Sequence, residues 1–251
     1  MEQADGMAQT DFKGKRALVT GAGKGIGRAI AIRLANLGAK VFGISRTQSD
    51  LDSLKKEVPS IETRLLDISE WDKTREVVEN LGPIDLLVNN AGIIKHTPFL
   101  EITKEEFDDH HNINFRAAFN ISQVVARGMA ERGNGGAIVN ISSIAAIRTT
   151  AYHTSYSPSK AALDMMTSSM AHELGCIRVN SVNPTVVMTE LGKKVWGDPV
   201  KQAAVLSRIP IGRCAEEEDI VNATVFLLSE KSSMITGVTL PVDGGMLIDI
   251  M

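Results

Sequence analysis

The fold is decided by one stretch near the start of the chain, in which KRALVT at residues 15–20 runs directly into GAGKGIG at residues 21–27. The apolar first segment is typical of a buried strand. In the segment that follows the glycines, Ile30 and Leu34 recur at helical spacing. KVFGIS at residues 40–45 then has the composition of a second strand. The stretch therefore predicts the first strand–helix–strand unit of a parallel α/β sheet.

The same alternation of apolar strands and helical segments continues along the chain. Further strands are predicted at residues 61–66, 84–89, 137–143, 177–182 and 238–242. Helices are predicted from about residue 49, at about residues 70–80, 104–132 and 216–228, and through Tyr156. We therefore expect an α/β protein with a Rossmann-type doubly wound parallel sheet in three αβα layers.

The glycine loop has the spacing that a pyrophosphate needs. Gly21, Gly25 and Gly27 lie between the first strand and the first helix. Backbone amides at a helix N-terminus bind phosphate, and side chains at these positions would obstruct its approach. In its strand–loop–helix setting, the loop predicts a dinucleotide site.

The end of the second strand indicates which dinucleotide binds. NAD sites usually place an acid there to bond the ribose 2′-hydroxyl, but this chain has Ser45, Arg46 and Thr47. A guanidinium and two hydroxyls suit a 2′-phosphate. Lys24 in the glycine loop adds a second positive charge. We therefore predict NADP as the cofactor.

Asp67, at the end of the third predicted strand, has two interpretations. Its carboxylate could accept a hydrogen bond from the amino group of the adenine. It could equally cap the helical segment that begins after Ser69. The sequence leaves both open.

A second motif, SYSPSK at residues 155–160, places Tyr156 four residues before Lys160. On a helix these two side chains share a face, and a cation near a phenol lowers the pKa of the phenol. Ser143 closes the predicted strand at residues 137–143, at the edge where open α/β sheets bind ligands. We therefore expect Ser143, Tyr156 and Lys160 to converge on one catalytic site.

Composition and charge exclude several classes of function. The net charge is −3, so no basic excess suggests a nucleic-acid partner, and no long apolar run predicts a membrane span. Cys176 and Cys214 lack metal-ligand spacing, and the adjacent His110 and His111 point to different faces of a helix, so no metal site is expected. Two isolated thiols and an acidic N-terminus without targeting features favour a cytoplasmic protein.

The chain is predicted to form one domain. No linker rich in Pro, Gly or Ser divides it, so residues 12–251 are expected to be a single NADP-binding Rossmann domain and residues 1–11 a disordered tail. About thirty residues separate the sixth strand from the last helix, and long loops in compact domains are often functional. We expect this segment, at about residues 184–215, to cap the substrate.

These pieces occur in the order found in one protein family. Over residues 12–249 the chain resembles the short-chain dehydrogenases/reductases. The motifs that carry the likeness are the glycine loop, Asn89-Asn90-Ala91-Gly92, Asn114, Ile141-Ser142-Ser143, Tyr156 with Lys160, and Asn183-Pro184 followed by Thr189.

The resemblance implies an oxidoreductase in which Tyr156 protonates the substrate oxygen and Ser143 hydrogen-bonds it. It implies that Lys160 bonds the nicotinamide ribose and lowers the pKa of Tyr156. It also implies that Asn114 holds a water in a proton relay and that Thr189 bonds the nicotinamide carboxamide.

The same resemblance implies two sets of binding residues. The cofactor set is Gly21, Lys24, Gly25, Ile26, Gly27, Ser45, Arg46, Thr47, Asp67, Asn89, Ala91, Gly92, Tyr156, Lys160, Pro184, Val187 and Thr189. The substrate set is Ser143, Ile144, His153, Tyr156 and Trp196.

Within the family, residues 45–54 and 183–189 resemble the dicarbonyl/L-xylulose reductases. That likeness implies an NADPH-dependent homotetramer that reduces L-xylulose to xylitol and also reduces α-dicarbonyls. His153 and Trp196 match positions that line the substrate pocket in that group. Ile144 departs from it, because the group has a glutamine there that helps to bind the sugar.

Two alternatives therefore stay open. Ile144 is compatible with a reductase of a different ketone, such as a 3-oxoacyl thioester or a bulky xenobiotic ketone. A nucleotide-binding protein without catalysis is the third interpretation, and the intact set of Asn114, Ser143, Tyr156 and Lys160 argues against it.

Overall fold

The computed structural model describes residues 10–248, which form a seven-stranded sheet flanked by helices. The strands are β1 (Arg16–Thr20), β2 (Lys40–Ser45), β3 (Glu62–Leu65), β4 (Leu86–Asn89), β5 (Gly136–Ile141), β6 (Ile177–Pro184) and β7 (Thr239–Val242). Their order in the sheet is β3-β2-β1-β4-β5-β6-β7, and every neighbouring pair is parallel. The predicted α/β class and Rossmann-type parallel sheet are confirmed.

The strands alternate with helices along most of the chain. The α-helices are α1 (Gly25–Asn36), α2 (Gln48–Glu57), α3 (Trp71–Glu79), α4 (Lys104–His111), α5 (Ala117–Arg132), α6 (Tyr156–Glu173), α7 (Glu190–Trp196), α8 (Pro199–Leu206) and α9 (Glu217–Leu228). Shorter 3₁₀ segments are Phe99–Glu101, Ile144–Ala146 and Glu230–Ser232, and Asn112–Arg116 is a π-helical turn. Parallel strands need such crossover connections, which cover the faces of the sheet.

Side chains of a single strand alternate between two apolar layers. In β1, Ala17 and Val19 contribute to the layer under α1 and α9, whereas Leu18 contributes to the layer under α3 and α5. All three are fully buried. Because successive side chains of a strand point to opposite faces, a strand that is apolar throughout must be covered on both sides. The predicted three layers are confirmed.

The winding of the chain reverses at β1, since β2 lies on one side of this strand and β4 on the other. Such a reversal opens a crevice at the carboxyl edge of a parallel sheet. Thr20 Oγ1, at the end of β1, accepts hydrogen bonds from the backbone N–H groups of Asn90 at 3.0 Å and Ala91 at 3.1 Å. These bonds fix the loop after β4 against the end of β1, beside that crevice.

Two predicted segments differ in detail from the structure. The helix predicted at residues 104–132 is divided into α4 and α5 by the π-helical turn, which contains Asn114. A π turn adds one residue to a helical turn, a local change that hydrophobic periodicity does not reveal. The segment predicted as a long loop after β6 contains α7 and α8.

Two further expectations concern the ends of the chain and membranes. The predicted tail at residues 1–11 lies outside the described residues except for residues 10 and 11, so the tail and the domain boundary stay predictions. Within residues 10–248, none of the helices has the length and apolar composition needed to cross a membrane.

Candidate active site

A cavity of about 380 Å³ lies at the carboxyl edge of the sheet. Eleven of the predicted cofactor residues line it, and these are Gly21, Lys24, Gly25, Ile26, Ser45, Arg46, Thr47, Asp67, Ala91, Gly92 and Thr189. They come from the segments that follow β1, β2, β3, β4 and β6. Parallel strands bring these distant segments to one edge, so the predicted residues converge there.

The glycine loop fits a phosphate group. Gly25, the first residue of α1, has a φ of +58°, a conformation that residues with a side chain rarely adopt. At Gly27, a Cβ would lie 2.3 Å from the carbonyl oxygen of Gly21, so a larger residue would separate α1 from β1. Gly25 and Ile26 at the N-terminus of α1 line the cavity, and a helix N-terminus favours an anion.

The end of the cavity next to β2 fits the phosphate that distinguishes NADP. Arg46 and Lys24 both line it, and the Arg46 side chain is exposed. Ser45 and Thr47 add two hydroxyls. A guanidinium with adjacent hydroxyls can bind a phosphate through charge-assisted hydrogen bonds. An acid that would repel this phosphate is missing from the end of β2.

Asp67 is held by the segment that follows it. Its Oδ1 accepts hydrogen bonds from the N–H of Ser69 at 2.9 Å and from the Ser69 hydroxyl at 2.8 Å. Burial alone would raise the pKa of Asp67, but these bonds and the charge of Arg46 outweigh burial and hold the pKa below its ordinary value. These bonds close a turn before α3, whose N-cap is Glu70, so the interpretation of Asp67 as the cap of that helix is wrong. The place of Asp67 in the cavity wall keeps the adenine interpretation open.

Six predicted cofactor residues lie outside the lining of this cavity: Gly27, Asn89, Tyr156, Lys160, Pro184 and Val187. Asn89 is the clearest case, because its side-chain amide donates to Ser122 Oγ and Asn140 Oδ1, both at 2.8 Å, inside the protein. Gly27 has a different role, because its missing side chain allows α1 to pack closely against the end of β1. The two N–H donors of the Asn89 side chain are therefore not available to a cofactor.

Several residues that line the cavity were not in the cofactor set predicted from the sequence. They are Gly23, Ile44, Asp50, Leu66, Ile68, Asn90, Ile93, Ile113 and Glu190. Most of them adjoin a predicted residue, so treating every position at a strand end as a candidate would have found Leu66, Ile68 and Asn90. Ile113 has no such signal, because its place depends on the π-helical turn.

Ser143 and Tyr156 form the centre of the predicted catalytic set. Tyr156 is the first residue of α6, and Ser143 follows β5. The Ser143 hydroxyl lies near enough to the Tyr156 phenol oxygen that hydrogen bonding between them lowers the pKa of Tyr156, and it accepts a hydrogen bond from the Ala145 N–H at 3.1 Å. The Ser143 carbonyl oxygen accepts from Asn183 Nδ2 at 2.9 Å. Two hydroxyls that are fixed in this way can bind one carbonyl oxygen between them.

Lys160 lies one helical turn after Tyr156 and is 4% exposed. Its Nζ donates to the carbonyl oxygen of Ile141 at 2.9 Å and lies 5.9 Å from the centre of the Tyr156 ring. Burial lowers the pKa of Lys160 to about 8. Burial raises the pKa of Tyr156 to about 12, although the Ser143 hydrogen bond opposes it. The expected lowering of the Tyr156 pKa is therefore wrong for the protein without cofactor, because burial prevails.

Asn114 lies in the π-helical turn, where its side chain holds the loop after β4. Its Oδ1 accepts from the Ile93 N–H at 2.8 Å, and its Nδ2 donates to the Ile93 carbonyl at 3.0 Å and to Ser159 Oγ at 3.0 Å. Both N–H donors of the amide are thereby used, whereas Oδ1 keeps a second lone pair. If Asn114 holds a water, as predicted, that lone pair and the backbone are the groups that remain to do it.

His110, which the sequence gave no reason to select, lies beside Tyr156. The side chain is fully buried. Its Nε2 accepts from the Lys95 N–H at 3.1 Å, and its Nδ1 lies 2.9 Å from Ser155 Oγ. The spacing of four residues from Asn114 puts both side chains on one helix face. The spacing of four residues from Asn114 is the sequence signal by which His110 could have been selected.

The predicted substrate residues divide into two groups. His153 lies beside Tyr156, with ring centroids 5.7 Å apart, and Ile144 directly follows Ser143 at the start of a 3₁₀ segment. Trp196 ends α7 and packs against the apolar cluster of Val205, Ile209 and Cys214. The structure thus brings His153 and Ile144 to the catalytic residues, and the role of Trp196 stays a prediction.

Two comparisons of sequence place the chain among known enzymes. A family model described as Enoyl-(Acyl carrier protein) reductase matches residues 21–247. The L-xylulose reductase of Mesocricetus auratus is 55% identical over 237 residues, which cover 94% of this chain and 97% of that protein. The D-erythrulose reductase of Gallus gallus is 53% identical over 239 residues, which cover 94% of this chain and 97% of that protein.

A comparison of structures agrees with them. The crystal structure of a gluconate 5-dehydrogenase from Burkholderia cenocepacia J2315 in complex with NADP and tartrate has a TM-score of 0.90 to this chain. The two are 30% identical, and the match covers 96% of this chain and 98% of that one. The chain therefore belongs to the short-chain dehydrogenase/reductase family, and within it is similar to the L-xylulose reductases.

Proposed function

We propose that this chain is an NADPH-dependent carbonyl reductase of small ketoses and α-dicarbonyls, with the reduction of L-xylulose to xylitol as its main reaction. One observation carries the proposal, namely the neighbouring hydroxyls of Ser143 and Tyr156 beside the buried Lys160. Lys160 Nζ would lie 3.4 Å from a Cβ on Gly92, which lines the cavity that fits NADP. The substrate class is supported by the relatives named for L-xylulose and D-erythrulose.

The chemistry follows from the two hydroxyls. NADPH, when bound, supplies a hydride to the carbonyl carbon of the substrate. Negative charge then develops on the carbonyl oxygen, and Ser143 and Tyr156 aim hydroxyl donors at it. Tyr156 transfers its proton to this oxygen, which gives the alcohol and a tyrosinate that solvent later reprotonates. With a pKa of about 12, Tyr156 holds that proton at neutral pH, and the Lys160 ammonium favours the tyrosinate that forms.

The other site residues hold the reactants in place. In this proposal the backbone of residues 21–27 binds the pyrophosphate, and Lys24 and Arg46 bind the 2′-phosphate. Thr189 binds the nicotinamide carboxamide. The Thr189 oxygen already accepts from the Gly192 N–H at 3.1 Å, so its own O–H is left to donate.

Assembly and location are part of the proposal. We expect residues 12–251 to act as one NADP-binding domain, with the segment at about residues 184–215 over the substrate. We also propose a homotetramer in the cytoplasm. Cys176 and Cys214 are both free thiols, which is usual for proteins of a reducing compartment.

The test is an assay of NADPH oxidation at 340 nm with L-xylulose, diacetyl and an acetoacetyl thioester side by side, each repeated with NADH. Strong NADPH-dependent activity on L-xylulose is the expected result. Activity on the thioester alone would favour the oxoacyl reductase that Ile144 leaves open. NADPH binding without turnover of any compound would indicate a nucleotide-binding protein without catalysis.

A further inference from the structure

We propose that His96 binds a hydroxyl group of the substrate and thereby selects polyhydroxylated ketones over apolar ones. The inference rests on the proposed function and adds a residue that the sequence gave no reason to select. His96 lies in the loop after β4, far in sequence from the serine, tyrosine and lysine of the predicted catalytic set. Its place in the fold, its fixed backbone and its unused nitrogens carry the argument.

The rings of Tyr156, His153 and His96 lie next to one another in that order. The His153 ring lies 5.7 Å from the Tyr156 ring, and the His96 ring lies 4.8 Å from the His153 ring in an edge arrangement of 73°. His153 is partly buried and His96 is exposed. A ketone whose oxygen contacts Tyr156 would therefore extend its carbon chain along the two imidazoles.

The backbone on both sides of His96 is anchored. On one side, the Lys95 N–H donates to His110 Nε2 at 3.1 Å. On the other side, the Thr97 hydroxyl donates to Glu106 Oε2 at 2.9 Å. His96 itself makes no hydrogen bond to any other residue within 10–248. The segment that carries His96 is thus held in position, and both ring nitrogens of His96 remain available to a ligand.

The neighbouring imidazole, that of His153, also has a ring nitrogen available to a ligand. His153 Nδ1 lies 2.8 Å from the carbonyl oxygen of Ala151, to which it must donate, so its Nε2 is left for a ligand. Tyr152, just before it, has a φ of +66°, which a bulky residue adopts only under constraint. Such strain persists where the surrounding structure requires it, often at functional sites.

The protonation state of His96 indicates which chemical class of ligand this residue can bind. Although His96 is largely exposed, partial desolvation of its ring lowers its pKa, and the nearby His153 ring lowers it further. A neutral imidazole offers one donor and one acceptor, which matches a hydroxyl group. A carboxylate or phosphate would instead need a cation. Ile144, next to Ser143, offers no polar atom of its side chain, so the imidazoles supply the polar side of the pocket.

The experiment compares two substrates of the same enzyme. The ratio of kcat/KM for L-xylulose to kcat/KM for diacetyl is measured in the native protein and in His96→Leu, with saturating NADPH. Diacetyl has no hydroxyl, so losing one hydrogen bond should lower this ratio about tenfold. His96→Gln, which keeps a donor and an acceptor, should recover part of it. His172→Leu is the control, because His172 is exposed near the far end of α6.

The possible outcomes test the His96 subsite and the proposed function separately. A ratio that His96→Leu leaves unchanged, with activity on both compounds, would overturn the subsite alone. A parallel loss on both compounds would also overturn it, since that indicates a general structural defect. Native protein that reduces diacetyl only would refute the selection of hydroxylated ketones. Native protein that reduces neither would overturn the proposed function itself.

Discussion

The imidazole of His110 lies edge-on against the ring of Tyr156, with the two ring centroids 6.0 Å apart. Because His110 Nε2 accepts a hydrogen bond from the Lys95 N–H, its proton must be on Nδ1, which donates to Ser155 Oγ at 2.9 Å. One neutral, buried imidazole therefore joins the loop after β4 to the residue that precedes Tyr156, the proposed proton donor.

Replacing His110 with Phe should lower the free energy of unfolding at pH 7 by about 1–3 kcal/mol, because the Lys95 N–H then loses its partner. It should also change the pH dependence. Burial lowers the pKa of His110, against the opposing charges of Glu106 and Asp109. The unfolded chain binds a proton near pH 6.5, and the folded chain binds it only at lower pH. Stability should therefore fall as the pH falls through this range.

Urea unfolding of both proteins at pH 7 and pH 5, at one protein concentration, measures this difference. The native protein should lose more stability than His110→Phe between the two pH values. His96 also has a lowered pKa, but it is present in both proteins and cancels. An equal loss in both would show that His110 is not the group that titrates.

Tyr156→Phe should remove the proton donor and keep the aromatic packing. Because general acid catalysis typically contributes a factor of about 10²–10⁴, kcat should fall by that amount with L-xylulose. The affinity for NADPH should change little, as measured by quenching or enhancement of nucleotide fluorescence. Turnover that survives the change would refute Tyr156 as the acid.

Arg46→Asp should shift the cofactor preference from NADPH towards NADH. The change replaces a cation by an anion where the 2′-phosphate is expected to bind, and charge-assisted hydrogen bonds are among the strong ones. We expect the ratio of kcat/KM for NADPH to that for NADH to fall by at least about tenfold. Lys56→Asp, on the exposed end of α2, makes the same change of charge away from the cavity. If both variants keep the native ratio, the phosphate is bound elsewhere.

Gly27→Ala and Gly92→Ala should differ sharply, although each adds one methyl group. At Gly27 the methyl would meet the backbone oxygen of Gly21 at 2.3 Å, so α1 must move. At Gly92 the nearest atoms are Asn114 Oδ1 at 3.3 Å and Lys160 Nζ at 3.4 Å, so a much smaller displacement is needed. Thermal unfolding should therefore show a larger loss of stability for Gly27→Ala than for Gly92→Ala. Similar behaviour of the two variants would contradict this reading of the loop.

Much of the fold could be predicted because its signals are local. The apolar run at residues 15–20 and the glycines at residues 21–27 are contiguous, and the spacing of Ile30 and Leu34 is a property of one helix. The spacing of Tyr156 and Lys160 likewise fixes that they lie one turn apart. The π-helical turn at Asn112–Arg116 was not predictable, since periodicity averages over such a change.

The amino-acid sequence by itself determined the order of the strands, the glycine loop and the positive charge after β2, and it predicted Tyr156 as the proton donor. Only the tertiary structure decided which distant residues meet: His96 against His153, His110 against Ser155, and Asn183 against the backbone of Ser143. It also decided that burial raises the pKa of Tyr156 and lowers that of Lys160. The physical reason is that periodicity and propensity act within one segment, whereas contact and desolvation depend on every segment packed around a group.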